Sequence, residues 1–583
     1  MIKLLKNLKK TDFVLFAISM VLIVGQVWLE LTMPDYIGEM TQLISTTGSS
    51  MSEIWIAGLK MLGCALGSAI MAVIVGCCMS KIASNFSCNI RGQVFNKISA
   101  FGVAEMKKFS TPSLITRTTN DITQIQNVIA MGFQTMIKAP ILAIWAIVKI
   151  FGKSWELSVV VMSFVAVLVV TLLVVMIFAL PKFKKMQRQV DDINRVAEES
   201  LNGVKVVRAF NAEEYQEEKF EKANDNLNKT MLFAIRTLCV LQPVLTMIMS
   251  GLSLAIYYVG SILINKAELL ARPSILGDVV AFSSYGVYVI MSFLMLAMIF
   301  MFLPRAQVSA KRVNEVLDEK VGVVEGTQNS SENLGTIEFK NVSFKYNDDE
   351  DYILKDINFK VEKGQTLAIV GTSGSGKSTL INLIARLYDT TKGEVLVDNE
   401  NIKNYTFECL YSKVGYVGQK AIVFSDTVEN NVAFGETKNK TTEEDIKKAI
   451  EIAQGKDFVE DMEKGYKSEI AQGGINISGG QKQRLSIARA IAKNPEILIF
   501  DDSFSALDFK TDKKLREELK SNLKDTTCVI VASRIGTVMN ADQILVLDDS
   551  KLVGKGTHDE LMKNCEVYKE IALSQLSSQE LEG

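Results

Sequence analysis

The sequence has almost no histidine, few cysteines and no excess of charge of either sign. Its single histidine, His558, argues against a metal site built on several imidazoles. Its eight cysteines are scattered without C-x-x-C spacing, which argues against a cysteine metal cluster or a disulfide framework. With 64 basic against 66 acidic residues and no arginine-rich stripe, the chain lacks the charge pattern of a nucleic-acid binder.

Long apolar stretches dominate the first half of the chain, whereas charged residues dominate the second. Hydrophobic residues make up 48 % of the 583 positions, and mean hydropathy is +0.19. A bilayer core of about 30 Å needs about 20 apolar residues of helix. Six stretches reach that length, and we predict that each is a membrane-spanning helix: 13–33, 55–79, 133–151, 157–180, 238–264 and 279–303.

The distribution of lysine and arginine predicts the orientation of these spans. Lys3, Lys6, Lys9 and Lys10 precede the first span, whereas residues 35–53 contain no lysine or arginine. Positive residues favour the cytoplasmic side. We therefore expect a cytoplasmic N-terminus, an uncleaved first span and, after six crossings, a cytoplasmic second half.

The two internal segments between spans are too long to be turns. Residues 80–132 and 181–237 are rich in helix formers and predict helices that extend into the cytoplasm. Polar stretches near 111–120 and 209–219 fit either solvated loops or short coupling helices that dock on a soluble motor. We expect a membrane domain over 1–320, a linker over 321–335 and a second domain over 336–583.

Glu30 is an ionisable residue inside the first predicted span. Such residues are costly in a membrane and often line a transport pathway. Its position close to Pro34 and Asp35, near the outer end of the predicted span, also fits a side chain that reaches the interface. Both interpretations remain open from the sequence.

A glycine-rich loop follows the apolar stretch 366–370 and precedes an apolar helix. It reads GTSGSGKST and fits the pattern G-x-x-x-x-G-K-[ST]. Backbone N–H groups of such a loop surround phosphates, its lysine reaches the β- and γ-phosphates, and its serine binds Mg²⁺. We therefore predict a site for ATP and Mg²⁺ formed by Gly371, Thr372, Ser373, Gly374, Ser375, Gly376, Lys377, Ser378 and Thr379.

Two further motifs follow in the second half. The apolar strand 496–500 ends at Asp501, a position suited to holding Mg²⁺. Between the apolar stretches 366–370 and 496–500, Ser478, Gly479 and Gly480 precede a basic amphipathic helix and offer free N–H donors to a phosphate. Since this second cradle cannot serve the same phosphates, we infer that it meets nucleotide bound to another copy of the domain.

These motifs resemble those of ATP-binding cassette exporters of the half-transporter type, over essentially the whole chain. The resemblance implies a six-span α-helical membrane domain with long cytoplasmic extensions. Fused to it is an α/β P-loop ATPase domain with helical and antiparallel β subdomains. It implies a dimer in the bacterial cytoplasmic membrane that moves small amphipathic substrates across the lipid bilayer, with no nucleic-acid partner.

The resemblance also implies roles for further residues. Tyr346 would stack on adenine, and Gln419 would sense the γ-phosphate and contact Mg²⁺. Ser478 to Gln481 would form the signature motif, and Asp508 would belong to the loop that crosses the dimer interface.

Two positions depart from the family pattern. Asp502 stands where a catalytic glutamate is expected, and Ser533 stands where a switch histidine is expected. We therefore predict a degenerate catalytic site and a heterodimer with a second half-transporter that supplies an intact glutamate and histidine. Three alternatives remain open: a slow homodimeric exporter, a nucleotide-sensing membrane protein that transports nothing, and an importer.

Overall fold

The computed structural model describes residues 2–46, 48–330, 334–347, 350–435, 441–532 and 534–575. Two compact units make up the chain. The first contains residues 1–99 and 112–319, and the second contains residues 100–111 and 320–583.

The first unit is built from long helices. In chain order, the α-helices up to residue 318 are α1 (Ile2–Leu5), α2 (Lys10–Ser45), α3 (Met51–Ser99), α4 (Val103–Phe109), α5 (Thr111–Thr116), α6 (Ile122–Asn127), α7 (Phe133–Phe151), α8 (Trp155–Asn202), α9 (Val204–Ala209), α10 (Glu213–Lys266) and α11 (Arg272–Asp318). Of these helices, α4 belongs to the second unit. Two π-helical turns, Arg117–Asp121 and Val128–Gly132, join α5, α6 and α7 into one continuous rod.

Six helical segments in the described part of the chain are long and apolar enough to cross a membrane. The longest, α10, has 54 residues, or about 80 Å at 1.5 Å per residue, far more than a hydrocarbon core of about 30 Å. These helices therefore continue well beyond any bilayer. The predicted membrane fold, six spans with long helical extensions, is confirmed.

The first span differs from its prediction. α2 continues through Pro34 to Ser45, so Glu30 does not lie near the end of its helix. Proline removes one helical hydrogen bond, and membrane helices tolerate this where neighbouring side chains bind the freed backbone groups. Near this break, the Tyr285 hydroxyl donates to the Leu31 carbonyl at 3.1 Å.

The two predicted coupling segments lie in different local structures. Residues 100–111, which contain α4, belong to the second unit, whereas residues 112–120 of the predicted segment 111–120 belong to the first. The segment 209–219 contains the turn between α9 and α10. Docking by either segment remains a prediction.

Two sheets form the centre of the second unit. Their strands are β1 (Ile337–Phe344), β2 (Leu354–Val361), β3 (Thr366–Gly371), β4 (Lys392–Val397), β5 (Glu400–Asn401), β6 (Val414–Val417), β7 (Ile497–Asp501), β8 (Thr527–Val531), β9 (Gln543–Asp548) and β10 (Lys551–Gly556). The smaller sheet is antiparallel with the order β2-β1-β4-β5. The larger has the order β10-β9-β3-β8-β7-β6 and is parallel except for the β9–β10 pair.

Helices cover the larger sheet. They are α12 (Lys377–Ile384), α13 (Phe407–Lys413), α14 (Val428–Val432), α15 (Glu443–Ile452), α16 (Lys456–Glu460), α17 (Gly479–Ala492), α18 (Phe509–Asn522), α19 (Ile535–Val538), α20 (His558–Asn564) and α21 (Glu566–Gln575). Strand side chains alternate between faces. Accordingly, Ala368 and Val370 of β3 enter one buried cluster and Leu367 and Ile369 enter another. This α/β architecture, with an antiparallel sheet and a helical part, confirms the predicted fold of the second domain.

Candidate nucleotide-binding site

The predicted site lies at the carboxyl edge of three adjacent parallel strands. β8 lies between β3 and β7, and Val531 near its end pairs with Ile369 of β3 and with Asp501 of β7. The loops after these strands therefore meet at one edge, which is where ligands bind in open α/β sheets.

The glycines of the loop after β3 fix its curvature. Gly371, Gly374 and Gly376 have φ of +152°, +84° and +98°, values that side-chain-bearing residues rarely adopt. A Cβ on Gly371 would lie 2.1 Å from the carbonyl oxygen of Leu547 on β9. The loop thus requires glycine at Gly371, and it leads directly into α12, whose N-terminus favours an anion.

Lys377 folds back over this loop. Its Nζ donates to the carbonyl oxygens of Gly371 at 2.9 Å and Thr372 at 2.7 Å. Burial lowers the pKa of Lys377, although the charges of Asp501 and Asp502 oppose this effect. The Ser375 hydroxyl in the same loop is buried without a hydrogen-bond partner. A cationic side chain and an unsatisfied buried hydroxyl within a ring of backbone amides fit a phosphate group.

Ser378 and Asp501 lie together as predicted for a Mg²⁺ site. Ser378 Oγ donates to Asp501 Oδ1 at 3.1 Å, and the Tyr416 hydroxyl donates to Asp501 Oδ2 at 3.4 Å. Burial raises the pKa of the Asp501 carboxyl. No cluster of three metal-binding acidic, cysteine or histidine side chains occurs among the described residues. The protein ligands fit Mg²⁺ that arrives with phosphate oxygens rather than a preformed metal site.

Asp502 follows Asp501 with the left-handed φ of +47°, a conformation that aspartate adopts more readily than most residues. Its Oδ2 accepts a long hydrogen bond of 3.5 Å from Gln419 Nε2. The structure therefore brings Gln419 to the Asp501–Asp502 edge, and its role at the γ-phosphate remains a prediction. Ser533, the other position that departs from the family pattern, lies outside the described residues.

Tyr346, the predicted adenine-stacking residue, is 37 % exposed. Its hydroxyl lies 2.9 Å from Thr379 Oγ1, which connects it to the phosphate loop. Lys107 Nζ lies 5.0 Å from the Tyr346 ring centroid, within cation–π distance. Sequence reasoning did not find Lys107, because a lone lysine outside any motif gives no signal of a contact so distant in the chain.

The C-terminal helix contributes two more residues that the sequence did not indicate. Ile571 and Gln575 of α21 line a cavity of about 260 Å³ together with Gly371, Ser373 and Lys377. Gln575 Oε1 also accepts a hydrogen bond from the Ile535 backbone N–H at 2.9 Å. One side of the phosphate loop therefore borders the C-terminal helix.

The signature motif begins the 14-residue helix α17. Ser478 Oγ accepts from the Gln481 N–H, and Gln481 Oε1 accepts from the Ser478 N–H, so the two residues form a capping box. A Cβ on Gly479 would meet no atom within 4 Å. Asp508, the predicted interface residue, caps α18 by accepting from the Thr511 N–H at 3.0 Å.

Comparison with known families and proteins agrees with this geometry. Residues 16–293 match the ABC transporter transmembrane region and residues 354–505 match the ABC transporter family. An uncharacterized ABC transporter ATP-binding protein of Mycobacterium tuberculosis is 37 % identical over 532 residues, covering 91 % of this chain and 89 % of that protein. An ATP-dependent lipid A-core flippase of Pseudomonas fluorescens is 32 % identical over 514 residues, covering 87 % and 82 %.

A solved structure of a bacterial Atm1-family ABC exporter with ATP bound has the same fold. Its TM-score is 0.79 at 23 % identity, with 97 % of this chain and 99 % of that chain covered. Whole-length similarity, six apolar helices and a nucleotide-type loop on a parallel sheet thus agree. The chain belongs to the ATP-binding cassette transporters, with its membrane domain fused to its ATPase domain.

Proposed function

We propose that this chain is one subunit of a heterodimeric exporter in the bacterial cytoplasmic membrane, and that its own Walker motifs form the weaker of two ATP sites. The observation that carries the proposal is Asp502, which stands where the family pattern has a glutamate. Its cargo is a hydrophobic or amphipathic compound, and the cytoplasmic side holds the N-terminus and the ATPase domain. The relative named as a lipid A-core flippase supports an amphipathic cargo.

ATP binding relies on residues that match the family pattern. Lys377 exchanges its two carbonyl contacts for phosphate oxygens, and the loop amides surround the phosphates. Ser378 and Asp501, which are hydrogen-bonded to each other, would hold Mg²⁺, and the ion would neutralise charge on the transferred phosphoryl group. Tyr346 offers its ring to adenine.

Hydrolysis at this site is limited by Asp502. A general base must come within about 2.6–3.2 Å of the proton that it removes, or act through one water. Aspartate is one methylene shorter than glutamate, and the Asp502 carboxylate is already in contact with Gln419. The serine at position 533 cannot carry the positive charge of a switch histidine, so two groups of the hydrolytic centre are weakened together.

The signature motif has no such defect. The exposed N-terminus of α17, with Ser478 as its cap and Gly479 in open space, presents N–H donors to an incoming phosphate. This chain therefore completes the partner's competent site even though its own site hydrolyses poorly. ATP-driven closure of the two ATPase domains then switches the membrane cavity between its inward- and outward-facing states.

Paired substitutions test the asymmetry. In vesicles that contain both half-transporters, replacing the partner's catalytic glutamate with glutamine should abolish transport, whereas Asp502→Asn should reduce it only a few-fold. Asp525→Asn, in an exposed turn away from the site, is the matched control and should leave transport unchanged. Equal losses from the two catalytic substitutions would contradict the proposal. Brisk ATP hydrolysis by the purified chain as a homodimer would favour the slow homodimeric exporter instead.

A further inference from the structure

A charged cluster inside the membrane domain joins the helices α2, α3 and α7. Glu30 Oε1 accepts hydrogen bonds from Lys138 Nζ at 2.8 Å, Gln26 Nε2 at 2.9 Å and Ser68 Oγ at 3.2 Å. Glu30 lies in the interior of α2, 20 residues from Lys10 and 15 from Ser45. An ion pair within membrane-spanning helices is costly, and such residues mark binding or transport sites.

The cluster contains hydrogen-bond acceptors that are not used. All three donors bind the same oxygen of Glu30, and no described residue donates to Glu30 Oε2. The amide oxygen of Gln26 is also buried without a partner, in a residue that is only 4 % exposed. Glu30 and Lys138 each keep 15 % of their side-chain surface exposed. A ligand that reaches this surface would therefore meet Glu30 Oε2 as an acceptor in need of a donor, and a ligand that enters the cluster would also meet the buried Gln26 Oε1.

The charge of the cluster restricts the ligand further. Glu30 and Lys138 neutralise each other, so a ligand with a single charge would leave a net charge among partly buried groups. A ligand with both signs keeps the site neutral. Its ammonium can donate to Glu30 Oε2 and Gln26 Oε1, while its anionic group accepts from the ammonium of Lys138, which has three N–H donors.

We propose that the Glu30–Lys138 cluster binds the head group of a zwitterionic amphiphile that has an N–H-bearing ammonium beside an anionic group, as in an ethanolamine phosphate. An amphiphile is favoured over a water-soluble zwitterion because the cluster lies on helices long and apolar enough to cross a membrane, where an acyl chain stays in contact with hydrocarbon. This inference rests on the proposed export of amphipathic compounds and specifies the head group of the cargo.

Two lysophospholipids that differ only in N–H donors test the head-group chemistry. The full-length transporter in phosphatidylglycerol nanodiscs is titrated with radiolabelled lysophosphatidylethanolamine and, separately, with lysophosphatidylcholine of the same chain length. A site built to bind N–H groups discriminates strongly against an analogue that lacks them, so we expect at least about tenfold tighter binding of the ethanolamine lipid. Equal binding of the two lipids, or binding of neither, would overturn the proposal.

Substitutions then assign the preference to the cluster. Glu30→Gln should bring the binding ratio of the two lipids close to one, whereas Glu53→Gln, at an exposed carboxylate in the first turn of α3, should keep the wild-type ratio. The double variant Glu30→Gln/Lys138→Met leaves no unpaired buried charge and should assemble normally while losing the preference. A wild-type ratio in this assembled double variant would show that the ion pair serves only helix packing.

Two further measurements separate this inference from the export proposal. Phosphoethanolamine without an acyl chain should bind at least about tenfold more weakly than the lysolipid, because it loses the apolar contacts of the chain. Equal binding would overturn the assignment to an amphiphile. Glu30-dependent lipid binding without ATP-driven transport would support this inference and contradict the export proposal. ATP-driven export of other compounds, with no preference between the two lysolipids, would support the export proposal and contradict this inference.

Discussion

The loop after β3 and the loop after β7 lie at the same edge of one sheet but are built in different ways. The first is a cradle of glycines with positive φ, and Lys377 is folded over it through bonds to its own loop carbonyls. The second presents two adjacent carboxylates, of which Asp501 is buried and Asp502 has a left-handed backbone. In the proposed assignment, the groups that bind phosphate lie mainly in the first loop and the hydrolytic carboxylate Asp502 lies in the second, so hydrolysis can weaken while binding is retained.

The largest effect is expected at the signature motif, which acts on the partner's nucleotide. Gly479→Asp places a carboxylate where a phosphate should bind, and we expect transport by the assembled pair to fall at least about 100-fold, as when a key anion-binding donor is lost. The substitution should not disturb folding. A Cβ on residue 479 has open space, and a negative charge is favourable at the N-terminus of a helix.

Gly479→Ala is the matched control, because it adds the same Cβ without a charge. It should retain most of the transport that vesicle uptake assays measure for the wild-type pair. Full activity of the Gly479→Asp variant would show that this signature does not complete a working site, and the comparison between the two loops would then lose its functional meaning.

The next effect concerns the loop after β3. A hydrogen bond to a charged group contributes about 1.5–3 kcal/mol, so Lys377→Met should weaken ATP binding at this chain's own site by about 10- to 100-fold. Transport should fall only a few-fold, since in the proposed heterodimer the partner's site performs most of the hydrolysis. Photolabelling with an ATP analogue measures occupancy of each subunit, and Lys363→Met in an exposed turn serves as the control. Complete loss of transport would mean that this site is not the weaker one.

A smaller effect is expected at the loop after β7. Asp502→Glu restores the reach of the carboxylate, but glutamate adopts a left-handed conformation less readily than aspartate. With serine still at position 533, ATP hydrolysis at this site should rise no more than about fivefold, which corresponds to about 1 kcal/mol. The assay uses a partner whose catalytic glutamate is replaced by glutamine, so that only this site counts. Activity equal to that of an intact site would show that side-chain length is the sole defect.

Local patterns were enough to predict much of this molecule. Apolar runs of about 20 residues identify the six spans because a bilayer sets their length. The loop from Gly371 to Ser378 was predictable because its glycines and lysine are adjacent in sequence. A role of Gln419 at the γ-phosphate was implied only by resemblance to a family, and its contact with Asp502 emerges from the structure.

Contacts between distant segments could not be predicted in the same way. Pro34 suggested an end to the first helix, yet packing against Tyr285 accompanies a continuous helix through it. Lys107 reaches the Tyr346 ring, and Gln575 reaches the phosphate-loop cavity, from points more than 190 residues away in the chain. A single sequence records no partner for such residues, because their contacts arise from tertiary packing alone.

The smallest expected effect is on stability, and it concerns the buried carboxylate of the loop after β7. Because burial raises the pKa of Asp501 above its ordinary value of 3.8, the ionised form is less favourable in the folded protein than in the unfolded chain. Without nucleotide, Asp501→Asn should therefore raise the apparent Tm at pH 7. This advantage should shrink as the pH falls through the folded-state pKa toward 3.8, since protonation then relieves the same strain in the wild type.

Scanning calorimetry of the full-length protein in detergent measures this effect on the Tm. Scans without Mg²⁺ and ATP report the cost of the buried charge, and scans with them report the stabilisation by the ligands. The wild type should gain more Tm from Mg²⁺ and ATP than Asp501→Asn does, because only the carboxylate neutralises the metal. Asp512→Asn is the control, since that carboxylate is also buried but is paired with Arg516. Asp512→Asn should lower the Tm, because it removes the carboxylate that pairs with Arg516. A lower Tm of Asp501→Asn without nucleotide would contradict this prediction. It would mean that the hydrogen bonds of the Asp501 carboxylate with Ser378 and Tyr416 stabilise the fold by more than the burial of its charge costs. Asp501 would then belong to the preformed part of the site, as the loop after β3 does.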